Sequence, residues 1–146
     1  MNRPHFNLPP RIYAVAHRLN LLWALLVGLL PPLAALGVIT VWYHLPLDAT
    51  VSFWPLTPVV LLLSPFAGGF TYCRRRAQAD LTDGALPAFW LWAAGVAEWI
   101  AVLGLPEWQN CLVSLVCALI AGITGGMSAQ RIAKIHEKQA AAKNSA

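Results

Sequence analysis

Glu98 is the residue whose type and position most need a chemical explanation. It stands inside the apolar run 86–105. At about 1.5 Å per residue it lies about 16 Å from Pro87 and about 12 Å from Pro106, near the middle of a helix built from that run. A carboxyl group at the centre of a bilayer costs roughly 2.5–3.5 kcal/mol on insertion scales, so it must face protein or water, or be carried protonated. Ser114 and Cys117 reach about the same level if the next apolar run folds back through Leu105-Pro106-Glu107. Two readings of Glu98 stay open: a proton or cation site, or a carboxyl that hydrogen-bonds Ser114 or a partner subunit.

Little other chemistry is visible. His5, His17, His44 and His136 are scattered rather than spaced as metal ligands, and Cys73, Cys111 and Cys117 suggest neither a disulfide nor a metal site. There is no Ser-His-Asp set that could converge, no glycine loop for phosphates and no pair of carboxylates. Enzyme activity, a cofactor and a metal are therefore not expected. Arg74, Arg75 and Arg76 form a compact basic run, suited to anionic lipid head groups or to fixing orientation.

The elements that must position these residues follow from composition. Of 146 residues, 58% are hydrophobic and 11% charged, too few polar groups to clothe a soluble core. Four apolar runs, about 19–43, 53–72, 86–105 and 108–127, approach the roughly 20 residues that a membrane-crossing helix needs. Two-residue alternation is absent and lipid cannot satisfy open backbone groups, so the spans are read as helices. The expected fold is all-α: an integral membrane four-helix bundle of two helical hairpins, one transmembrane domain with a tail at 128–146.

The first run is too long for the core of a signal peptide and is read as a retained helix. Pro31-Pro32 should kink it, and Pro55, Pro58 and Pro65 should bend the second. Residues 10–20 suit a short interfacial helix, and the tail an extension of the fourth.

All ten Lys and Arg residues fall on one side of this arrangement: Arg3, Arg11, Arg18, Arg74, Arg75, Arg76, Arg131, Lys134, Lys138 and Lys143. The opposite loops carry only Asp48 and Glu107. The positive-inside rule then puts both termini in the cytoplasm, with the bacterial inner membrane as the expected location. Trp42, Tyr43, Trp54 and Trp108 should mark the outer interface, and Trp23, Tyr72 and Trp90 the inner one. Topology accounts for the net charge of +4, so no nucleic-acid partner is expected.

Small residues recur at every fourth position of the last run, at Ser114, Ala118, Gly122 and Gly126, and a matching row lies at Ala93, Ala97 and Ala101. Such ridges let helices approach closely. The third and fourth spans should form a tight hairpin with Glu98 at or beside its seam.

The segment Gly68-Gly69-Phe70-Thr71-Tyr72-Cys73-Arg74-Arg75-Arg76-Ala77, then Asp83-Gly84-Ala85-Leu86 and finally Gly125-Gly126-Met127, resembles a pattern in small four-span bacterial membrane proteins of unassigned function. The resemblance covers residues 64 to 127; it implies architecture and supplies no activity. Small multidrug transporters do not fit, since they carry their membrane glutamate in the first helix. The leading expectation is a non-enzymatic membrane subunit or accessory protein that packs against a larger partner or against itself. The rival is an oligomeric channel or proton-coupled carrier using Glu98. A phage-type holin is a third possibility, suggested by size and basic tail.

Overall fold

The computed structural model describes residues 10–44, 56–76, 80 and 82–144, and among them it contains helices and no strand. The helices are α1 (Pro10–Gly28), α2 (Leu30–His44), α3 (Leu56–Arg75), α4 (Ala85–Leu103) and α5 (Trp108–Asn144). Because α1 and α2 are separated by Leu29 alone, they form one kinked rod, and the chain folds as four rods. Arg3, His5, Asp48, Trp54 and Pro55 lie outside the described residues.

Two helical stretches are long and apolar enough to cross a bilayer, Val15–Ile39 and Trp108–Lys143, with mean hydropathy of 2.2 and 2.0 over their most apolar 18 residues. The apolar stretch of α4, Ala85–Ala101, is shorter. Residues 10–20 are helical and lead without a break into the first apolar run, as the first turns of α1. The tail continues α5 as far as Asn144.

The kink between α1 and α2 follows from the proline pair. Pro31 and Pro32 have no amide hydrogen, so the carbonyls of Val27 and Gly28 lose their usual donors four residues on. Bonds from Leu29 N to Leu25 O (3.0 Å) and from Leu33 N to Leu29 O (3.2 Å) carry the helical ladder past the gap. The buried Ser64 of α3 donates its hydroxyl to the Gly28 carbonyl at 2.5 Å, replacing the donor that Pro32 cannot provide. We expect Ser64→Ala to lower stability by about 1–2 kcal/mol, because a desolvated carbonyl is left unpaired. Thermal unfolding in mild detergent checks this: an unchanged midpoint would mean that the Gly28 carbonyl finds another donor.

Helix α3 is the hub, with its most extensive packing against α5 and its next against α1. The approach to α5 needs glycine on both sides. A Cβ added to Gly69 would collide with the Gly122 carbonyl oxygen, and one added to Gly125 with that of Phe66. Gly122 also faces the start of α4, where Gly84, just before the helix, and Ala88 press on it, so the row of small residues on α5 sits at a three-helix junction. The seam on α4 differs from the expected one. It runs through Gly84, Ala88 and Trp92, while Ala93 is partly buried and Ala97 and Ala101 are exposed. Residues larger than Gly84 and Ala88 would not fit beside Gly122.

Burial divides the bundle into two unequal halves. Around the α3–α4 connection, Ala24, Tyr72, Cys73 and Ala129 form the core, with Leu21 and Phe70 packed against it. In the other half, among the described side chains, none of α2, none from Pro58 to Leu63 and none from Trp92 to Cys117 is buried. The rods converge at one end and present open apolar faces at the other.

Candidate functional site

The structure separates the three residues that depth alone grouped. The Ser114 hydroxyl accepts a hydrogen bond from Trp92 Nε1 (3.0 Å) and donates to the Cys111 carbonyl (2.9 Å), so its bonding is committed within the α4–α5 seam. Cys117 is half-buried. Glu98 is exposed on another face of α4 and forms no hydrogen bond or ion pair with any described residue. Around it are the exposed Ala94, Ala97 and Ala101, and Gly95, where an added Cβ would meet open space. Of the small residues on α5, Ala118, Gly122 and Gly126 are buried.

The arginine run does not act as a block, because consecutive helical residues point about 100° apart. Arg76 turns back at the helix end, its amide bonded to the Cys73 carbonyl, and its guanidinium meets Asp83 Oδ1 at 2.9 Å. The other oxygen, Asp83 Oδ2, accepts from the Asp80 amide at 2.8 Å, which closes the turn leading into α4. Arg75 lies over the Trp23 ring, 4.7 Å from its centroid, within cation–π range. Arg74 is exposed.

At the same end lies a polar cluster that the sequence did not reveal. Tyr72, expected at the inner interface, is instead wholly buried. Its hydroxyl is 2.8 Å from His17 Nδ1, and Arg76 donates to it at 3.5 Å. With the His17 proton on Nε2, Tyr72 donates to Nδ1 and accepts from Arg76, so the chain Asp83, Arg76, Tyr72, His17 is satisfied at each step. This network ties α1, the end of α3 and the α3–α4 turn together. Its one sequence signal was the four-residue spacing of Tyr72 and Arg76 on a helix, since His17 is far away in the chain.

No family model, curated protein or solved structure matches the chain. Buried Cys73 is shielded as a nucleophile, and among the described residues no three His, Cys, Asp or Glu side chains gather to hold a metal ion. The polar cluster holds elements in place, and Glu98 is the feature turned outward.

Proposed function

We propose that this chain is a four-span integral membrane protein of the bacterial inner membrane, with both termini cytoplasmic, that works as a non-enzymatic subunit or accessory protein. The 20 residues of α3 and the 19 of α4 measure about 30 Å and 28 Å, which suits a hydrocarbon core of about 30 Å. The concentration of basic residues in and before the first turns of α1, at the end of α3 and along the α5 tail supports the orientation.

The observation that carries the reading is Glu98, exposed on a face of small residues in the half of the bundle where no described side chain is buried. Small residues with one polar group in their midst form a surface on which another helix packs closely and pairs the polar group. A partner helix, from a larger membrane protein or a second copy, would meet both needs.

Photo-crosslinking from position 97 or 101 in native membranes, followed by purification in mild detergent, tests this. A discrete crosslinked neighbour lost in Glu98→Leu is the expected result; a monodisperse monomer without a neighbour would sink the reading. The same outward carboxyl favours a second reading, in which copies assemble with Glu98 around a pore or carrier path. That reading requires flux in liposomes that Glu98→Gln abolishes.

A further inference from the structure

Asp83 and Tyr72 occupy Arg76, and among the described residues no carboxylate pairs with the other two arginines of the run. Arg74 and Arg75, with Phe70 and Thr71, line an open cleft of about 410 Å³. The four belong to one strip of α3, with the two guanidinium groups at the polar end and the ring and hydroxyl one turn further along the helix. Arg74 forms no ion pair, and the Thr71 hydroxyl no hydrogen bond, with any described residue. Phe70 stacks on Phe66, centroids 6.4 Å apart and planes 16° from parallel, so aromatic surface continues from the cleft along the apolar part of the helix.

We propose that this cleft binds the phosphate of an anionic phospholipid. The planar forks of Arg74 and Arg75 take the phosphate oxygens, a geometry that guanidinium matches in a bidentate way. Thr71 donates to a third oxygen, and the first acyl carbons lie on Phe70. Stacking on Trp23 holds the Arg75 side chain, so less rotamer freedom is lost on binding. The aromatic surface leading away from the cations decides between sources of phosphate. A free anion would make no use of it, whereas a lipid would lie along it. The inference rests on the chain being membrane-inserted but not on its being a subunit.

Flotation of the wild type with vesicles after a carbonate wash tests insertion first, and failure to float would overturn the membrane reading and this site with it. Native mass spectrometry in mild detergent then compares phosphatidylglycerol, phosphatidylcholine and inorganic phosphate. The wild type should bind phosphatidylglycerol about tenfold more tightly than phosphatidylcholine. Each of Arg74→Gln and Arg75→Gln should weaken binding about fivefold, and the pair about thirtyfold. Thr71→Val, which keeps the shape of the side chain, should weaken it about threefold. Arg131→Gln, on the exposed stretch of α5, should change it less than twofold. Equal binding by the double variant, an equal loss from Arg131→Gln, or inorganic phosphate occupying the site as well as the lipid would overturn the proposal.

Discussion

Leucine in place of Gly122 should prevent the bundle from assembling, whereas leucine in place of Gly95 should leave the stability of the detergent-solubilised chain unchanged. At Gly122 even a Cβ would collide with the Gly84 carbonyl oxygen and the Ala88 Cβ, so no rotamer of a larger side chain relieves the clash. The start of α4 would have to move off α5, at the level where the Gly122 backbone also meets Gly69 of α3. Overpacking usually costs about 1–3 kcal/mol, and a clash with both the Gly84 backbone and the Ala88 side chain belongs at or beyond the upper end. Against a total stability of about 5–15 kcal/mol, loss of that junction should appear as degraded or aggregated protein. At Gly95 the space is open. Thermal or SDS-induced unfolding of the two variants makes the comparison, and an unchanged midpoint for Gly122→Leu would contradict the three-helix junction. Gly95→Leu has a second use: on the proposed partner face, it should diminish crosslinking to a neighbour while leaving unfolding untouched.

The parts of this arrangement legible in the sequence are those set by length and by proline. Apolar runs of about 20 residues fixed the number of rods, and Pro31-Pro32 fixed the place where the first one breaks, at Leu29. The need for a foreign donor at the Gly28 carbonyl was equally implicit, but its source, Ser64, lies 36 residues away and depends on packing. The face that α4 turns to α5 was not legible. Its middle turns carry small residues on several sides, at Ala93, Ala94, Gly95 and Ala97, and lipid-facing and protein-facing positions are alike apolar. Without an amphipathic stripe, the row 93/97/101 could not be told from the Gly84-Ala88-Trp92 edge that meets the glycines of α5.

Glu98 shows the same limit from the opposite side. Depth was a matter of counting residues, but azimuth, which decides whether the carboxyl meets Ser114 or points outward, follows from which edge of α4 is used as the seam. Once Gly84, Ala88 and Trp92 are placed against α5, Glu98 falls six positions beyond Trp92. Six positions correspond to about 600° of helical rotation, which leaves Glu98 about 120° around the helix from Trp92. Its exposure is a consequence of the glycine junction, which links the closely packed part of the molecule to this outward carboxyl.

Replacing Tyr72 should destabilise in two clearly separated steps. Tyr72→Ala removes a fully buried aromatic ring from the core it shares with Ala24, Cys73 and Ala129, and a cavity of that origin costs about 3–5 kcal/mol. Tyr72→Phe keeps the ring and removes only the hydroxyl that joins His17 to Arg76, which should cost about 1 kcal/mol. His17→Ala in the Tyr72→Phe background should then add little, because the two side chains no longer share a hydrogen bond and their effects should fall short of additive. Unfolding midpoints of the two single variants and the double measure that coupling. Full additivity of Tyr72→Phe and His17→Ala would mean that the 2.8 Å contact contributes nothing to stability. A coupling of about 1 kcal/mol would mean that the polar cluster, and not apolar packing alone, clamps α1 to the end of α3.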